Sequence, residues 1–308
     1  MGTVELIGLP LPEIHPGEDL ASFLVESAIS VCGGLRPGDL LVVSSKVISK
    51  ALGLIVPLAE VQPSPEAKRL ATKTGLDPRF LEVVLKNSEG IVCVIPLRVL
   101  AEEGILDLAK LTTEPEKGKA LLEQFPYEIF VIRRGQIYSS AGVDASNLPP
   151  NHVSFLPLDL DMAARDLREK VYKLTGFLIP VVISDTEYTL GLGSQEVARG
   201  SYGLKPIAGK FGQPDRFGRP KFGGADLIVH ELASAAALLM GQTSEGIPAV
   251  LVRGFKYEAA EEGMGDYWLG EAKLGRIVKL ILRESIKVLG WKWLKGGIKL
   301  LLIPSNIL

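Results

Sequence analysis

The sequence predicts a mixed fold of the α/β or α+β kind, and three observations predict it. Short apolar runs of strand length, such as Leu40 to Val43 and Val181 to Ile183, are interleaved with segments of helical periodicity. The helical segments carry start signals: Ser64 stands before Pro65 and Asp77 before Pro78, each a capping side chain ahead of a proline whose fixed φ suits the first helical position. Finally, 308 residues with 47% apolar and 23% charged side chains supply enough core for a compact soluble protein and lie far from the composition of disordered chains.

Taken in order, a turn-rich start leads into a helix in which Leu20, Phe23, Leu24 and Ala28 recur at helical spacing, ended by Gly33 and Gly34. Leu40 to Val43 reads as a buried strand whose exit is crowded with Ser44, Ser45, Lys46, Ser49 and Lys50. Two capped helices follow, then a strand in "GIVCVIPLRVL" and a charged helical excursion over 101–127. "YEIFVIRRGQIYSSAGVDASN" reads as a hairpin turning near Arg134, Gly135 and Gln136. The helix "AARDLREKVYKLTG" precedes the strand "FLIPVVISDTE", which ends in an acid and a hydroxyl. Residues 187–224, glycine-rich and weakly periodic, read as a long loop region. An Ala-rich helix in "ADLIVHELASAAALLMG", a loop and strand in "GQTSEGIPAVLVRG", and a last helix over roughly 271–289 complete the chain. Residues 1–256 form the main region, with any subdomain boundary in 187–224, and 257–308 form a C-terminal helix and an apolar tail.

Composition excludes several classes of function. A formal net charge of −2 lacks the electrostatic footprint of a nucleic-acid binder. Cys32 and Cys93 are too far apart for a metal knuckle and read as two buried thiols of a reducing cytoplasm. The N-terminus has no basic segment followed by an apolar one, so nothing there directs export. In the tail, Lys295, Gly296, Gly297, Lys299 and Pro304 interrupt an apolar run too short to span a membrane; it reads as a packing or dimer segment, with a weak interfacial anchor, suggested by its mix of Trp and Lys, as the alternative.

The chemistry gathers where strands stop. Ser45 with Lys50, Asp144 with Asn147, and Asp185 with Thr186 each follow an apolar strand, and polar groups at strand ends face the crevice where ligands bind rather than the core. Hard oxygen donors of this kind suit Mg²⁺ or Mn²⁺, which keep part of their shell for water and substrate phosphates. Each acid alone also suits a turn or a helix cap. Other motifs fail on spacing. "GLKPIAGKF", from Gly203, has Phe211 where a P-loop needs a hydroxyl, and "GLGSQE" lacks the third glycine of a dinucleotide fingerprint. His230 with Asp226 could chelate but more simply reads as a satisfied core histidine.

Five ordered blocks, "GLPLP" at 8–12, "GDLLVVSSKVISKALG" at 38–53, "AGVDASN" at 141–147, "VVISDT" at 181–186 and "LLMGQTSEGIPAVLVRG" at 238–254, resemble the coenzyme F420-0:gamma-glutamyl ligase family. The resemblance implies an α+β fold with mixed sheets and packed helices, an intertwined homodimer, and a cytoplasmic enzyme. It also implies a GTP- and metal-dependent ligase that joins L-glutamate to a carboxylate of the deazaflavin precursor through an acyl-phosphate. By position, Asp144 and Asp185 are implied as ligands of one Mn²⁺ or Mg²⁺, and Thr186 and Gln242 as ligands of a second. Leu9, Pro10, Leu11, Pro12, Ser45, Lys46, Lys50, Asn147, Gly241 and Gly246 are implied as the GTP contacts, with Lys50, Asp144 and Asp185 at the reaction centre. One departure stands out: in the family a Gly-Arg motif follows the Asp-Thr pair, whereas here Arg199 is the first cation after Thr186. That leaves open a ligase with a different acceptor, or a non-catalytic GTP- and metal-binding homologue.

Overall fold

The structure is a computed structural model that describes residues 2–189, 193–268 and 270–301. Among them ten strands form: β1 (Glu5–Leu9), β2 (Leu40–Ser44), β3 (Ile55–Pro57), β4 (Gly90–Ile95), β5 (Glu128–Arg133), β6 (Gln136–Ser139), β7 (His152–Ser154), β8 (Val181–Thr189), β9 (Gly193–Tyr202) and β10 (Ala249–Arg253). The principal sheet has the order β1, β10, β2, β8, β9, while β3 pairs with β7, and β4, β5 and β6 form a third sheet. Only the β2–β8 pair of the principal sheet is parallel.

The apolar runs read as strands are buried on both faces for a physical reason: helices cover both sides. Leu41, Val43, Val181 and Ile183 face a cluster shared with helices Leu20–Cys32 and Leu160–Thr175. Leu40, Val42 and Val182, on the opposite side by strand alternation, are equally buried alongside Val229, Leu232, Ala233 and Ala236 of helix Ile228–Met240. The result is an α+β fold with mixed sheets, as expected. Ser64, Asp77 and Gly33 cap their helices as the sequence predicts.

Three expectations are corrected. Residues 187–189 and 193–202 are not loop: β8 runs on past Asp185 and Thr186 to Thr189, and β9 returns against it antiparallel. The strand pattern was hidden because β9 is built of small and polar residues where a helix comes close; a Cβ on Gly200 would lie 2.5 Å from the Leu160 backbone. Nor are both thiols buried: Cys32 is half-buried and Cys93 is exposed, because β4 is an edge strand. And Asp226 precedes the helix that carries His230, whose Nδ1 is buried with no hydrogen-bond partner among the described residues.

One compact unit comprises Met1–Arg133 with Ile137–Tyr267; a second comprises Arg134–Gln136 with Trp268–Leu308. In the second, helices Gly270–Leu289 and Trp291–Leu301 touch one another, and Arg134 lies over the Trp268 ring. Residues 302–308 of the tail and Gly191 of the dismissed glycine motif lie outside the described residues. No described helix is long and apolar enough to cross a membrane.

A buried fork locks the sheet to the turn before β2: Arg253 Nε and Nη2 donate to Asp39 Oδ1 and Oδ2 at 3.0 and 2.8 Å, and Asp39 is 2% exposed. Arg253→Met strands that carboxylate, so it should destabilise the protein by about 3–5 kcal/mol in urea unfolding, with much of the loss recovered in the Asp39→Leu/Arg253→Met pair.

Candidate active site

β2 ends at Ser44 opposite Ser184, but β8 continues beyond it, so Asp185 and Thr186 project past the edge of the parallel pair. This makes a crevice at the carboxyl end of β2. The end of β1, with residues 10–14 after it, and the 241–248 loop before β10 close the same edge; Leu11 N–H donates to Gly246 O at 3.2 Å. The cleft holds about 350 Å³.

Each sequence-predicted cluster reaches it by a different device. Immediately after β2 the chain turns into helix Ser45–Ala51, capped by the Ser44 hydroxyl. Four-residue spacing puts Lys46 and Lys50 on one side of that helix, facing the cleft. Ser45 faces elsewhere and donates its hydroxyl to Asp185 Oδ1 at 2.7 Å. Lys46 Nζ contacts Asp144 Oδ2 at 2.7 Å and Ser154 Oγ at 2.9 Å, and buried Lys50 reaches Glu13 Oε1 at 2.5 Å.

Asp144 arrives by a strained turn. Ser140, Ala141 and Gly142 all have positive φ (42°, 57° and 70°), a left-handed turn that costs two non-glycine residues about 1–3 kcal/mol each. Surrounding bonds hold it: Ser140 Oγ donates to Glu128 Oε1 at 2.7 Å, and Ser139 N–H donates to the Glu187 carboxylate at 3.1 Å. Asp144 then bridges to β7, exchanging backbone hydrogen bonds with Ser154. Gly142 is required as glycine, since a Cβ there would stand 2.3 Å from Leu156 Cδ1 and 3.4 Å from Asp185 Oδ2. The turn thus brings Asp144 to the cleft that Asp185 also lines. Asn147, also at positive φ, donates to Thr243 O at 3.1 Å and ties this turn to the 241–246 loop.

Of the residues named from sequence, Leu11, Pro12, Lys46, Lys50, Asp144, Asn147, Asp185, Thr186, Gly241, Gln242 and Gly246 line the cleft. Leu9, Pro10 and Ser45 do not; Leu9 is wholly buried in the sheet and Ser45 supports Asp185 from behind. Glu13, Glu196 and Glu245 line it as well and were not foreseen. Glu196 stands directly across from Thr186 in the β8–β9 register, a relation invisible while 187–202 reads as loop. Thr186 Oγ1 lies 2.9 Å from both Glu196 Oε2 and Gln242 Oε1. Arg199, the first cation after Thr186, does not line the cleft. It is buried, paired with Glu187, with its guanidinium 3.7 Å from the Tyr138 ring centre.

The electrostatics are lopsided: five carboxylates, on Glu13, Asp144, Asp185, Glu196 and Glu245, face two ammonium groups. Burial opposes the charge on Asp144, but Lys46 and the Ser146 hydroxyl outweigh it and hold its carboxyl below the ordinary range. At Asp185 burial wins over the Arg199 charge and the Ser45 hydrogen bond, with Glu196 and Asp144 adding repulsion, and its carboxyl is pushed up to about 7. Among the described residues no three His, Cys, Asp or Glu side chains cluster as a self-sufficient metal site, so a cation here would draw on hydroxyl, amide and substrate oxygens too.

An α+β protein with an oxygen-rich, acidic cleft at its strand ends narrows the class, and comparison with known proteins identifies the family. A sequence model of the family described as F420-0:Gamma-glutamyl ligase matches residues 8–254. The chain is 37% identical over 258 residues to the coenzyme F420:L-glutamate ligase of Methanopyrus kandleri, covering 83% of this chain and 89% of that one. It is 34% identical over 265 residues to the enzyme of that name from Archaeoglobus fulgidus (86% and 91%), and 33% over 284 residues to that from Natronomonas pharaonis (90% and 93%). The chain belongs to the F420-0:gamma-glutamyl ligase family, and by that membership is a ligase.

The Asp185 carboxyl gives a pH test. Freed of divalent cations, the folded protein keeps a proton there that the unfolded chain, with an ordinary value of 3.8, has already released. Stability should therefore fall as pH rises from about 4 to about 7, and no further above that. In EDTA, the melting temperature of the wild type minus that of Asp185→Asn should decline across this window and then level off.

Proposed function

We propose that the protein joins L-glutamate to a carboxylate of the deazaflavin precursor coenzyme F420-0 in a GTP- and divalent-metal-dependent reaction, acting as an intertwined homodimer in the cytoplasm. The observation that carries this reading, beside the family, is the charge inventory of the cleft. Five carboxylates facing two lysines repel a triphosphate unless divalent cations stand between them, and the oxygen donors present fit Mg²⁺ or Mn²⁺. Asp144 and Asp185 would hold one ion, Thr186 and Gln242 the second. When bound, such ions neutralise phosphate oxygens as charge shifts in phosphoryl transfer.

The chain's own residues position the reactants. The γ-phosphoryl of GTP passes to an oxygen of the acceptor carboxylate, releasing GDP. The amine of glutamate then attacks the acyl carbon, expelling phosphate and losing a proton as the amide forms. Lys46 and Lys50, held on one side of a short helix, place ammonium charges where phosphate oxygens lie. The Gly241–Gly246 loop and residues 11 and 12 frame the nucleotide. Glu245 accepts from Thr243 N at 2.8 Å and holds that loop in shape; a Cβ on Gly241 would collide with its carboxyl at 2.2 Å.

A second reading, the same chemistry on a different acceptor, is favoured by one observation: among the described residues no arginine lines the cleft, and Arg199 is spent inside the protein on Glu187 and Tyr138. Incubation with GTP, Mn²⁺, glutamate and the precursor, followed by mass spectrometry, separates the two. One glutamyl unit should be added per GDP and phosphate released; GDP formation that ignores the precursor supports the second reading. Lys50→Met should lower kcat on the order of 10²–10³-fold, the usual loss when one group that stabilises developing charge is removed.

A further inference from the structure

Glu196 plays no part in the positions inferred from the family resemblance, yet its surroundings are unusual. It is 7% exposed and forms no ion pair among the described residues. Its contacts are Thr186 Oγ1, 2.9 Å from Oε2, and Gln242 Nε2, 3.3 Å from the same oxygen. Thr186 Oγ1 is also 2.9 Å from Gln242 Oε1. A threonine hydroxyl carries one hydrogen and can satisfy one of these two oxygens. Reversing the Gln242 amide does not help, because its oxygen would then face Glu196 Oε2. Counted with Glu196 as a carboxylate, the trio is one hydrogen short in either orientation, and two oxygens 2.9 Å apart without a hydrogen between them repel.

A cation removes the deficit, and the spacing suits one. Oxygens at about 2.0–2.1 Å around an octahedral Mg²⁺ are about 2.9 Å from their neighbours in the shell. Thr186 Oγ1 stands at that separation from both partners. The three donors come from separate elements that the fold fixes independently: Thr186 on β8, Glu196 directly opposite on β9, and Gln242 just after helix Ile228–Met240. Thr186 and Gln242 are neutral, so only Glu196 can supply charge to the set.

We propose that Glu196 is a direct ligand of the second divalent cation, supplying the one negative charge of an oxygen set shared with Thr186 and Gln242. This rests on the reading that a second cation binds beside Thr186 and Gln242. Asp185 and Thr186 are neighbours on one strand and so point to opposite sides of it, which places the two cation sites on either side of β8.

Mn²⁺ titration followed by the paramagnetic signal of the free ion, in the presence of a non-hydrolysable GTP analogue, tests this on the full chain. Wild type should bind a tighter and a weaker ion. Glu196→Gln, nearly isosteric, should weaken one site by on the order of a hundredfold, at least the loss usual for groups that only orient a ligand, and spare the other. Asp144→Asn should do the converse. The metal-free melting temperature of Glu196→Gln should equal or exceed that of wild type, whereas a purely structural role would lower it and leave Mn²⁺ binding intact. If Glu196→Gln does not fold, Glu196→Asp, which keeps the charge but withdraws it by one methylene, should weaken the same site at least tenfold. Unchanged Mn²⁺ binding in both variants overturns the assignment of Glu196 while leaving the two-cation reading in place. Absence of Mn²⁺ binding by the wild type overturns both.

Discussion

The parallel pairing of β2 with β8 stops at Ser44 and Ser184, and the cleft exists because β8 continues beyond β2, paired only with β9. A strand leaving the edge of its neighbour presents both its faces to ligand space. One face, carrying Asp185, meets the turn that delivers Asp144 and the helix that delivers Ser45; the other, carrying Thr186, meets Glu196 and Gln242. What keeps a projecting strand straight is its antiparallel partner β9, so the hairpin is both support and contributor.

Behind that hairpin lies a second constraint. Glu187 accepts from Ser139 N–H and pairs with Arg199, whose guanidinium rests on Tyr138. One buried charge pair therefore ties β8 and β9 to the end of β6, where the left-handed turn through Ser140 and Ala141 begins. Strained backbone survives only where its neighbours leave it no alternative, and here those neighbours are the strands that carry the other cleft residues. The Arg199 charge also reaches Asp185 and works against the rise in its carboxyl. An arginine that in other settings would clamp a ligand is here spent inside the protein, tying β6, β8 and β9 together.

Much of this was legible from residue order alone, and the reasons for the rest are physical. Helix starts at Ser64 and Asp77 were readable because a cap followed by proline is a local signal. Polar groups after apolar runs marked Lys50, Asp144 and Asp185, because chemistry at strand ends breaks a hydrophobic pattern abruptly. Glu196 escaped because its strand has no clean alternation: small residues answer to the helix packed against it, and a register shift opposite Ile183 and Ser184 disturbs the period. Glu13 follows a proline-rich turn and looks like any surface acid; only the fold brings it to Lys50. The left-handed Ser140 and Ala141 carry no sequence mark, since neither is a residue type that favours that conformation.

The register shift has a consequence for how such chains can diverge. Gly200 pairs with Ile183 and Ala198 with Ser184, so Arg199 is the residue the ladder skips. Deleting that one residue would restore a regular ladder and leave Glu196 opposite Thr186, but it would take away the cation that pairs with Glu187. What this arm cannot spare is therefore the guanidinium at position 199 rather than the length of the strand, since without it the half-buried Glu187 loses its ion-pair partner.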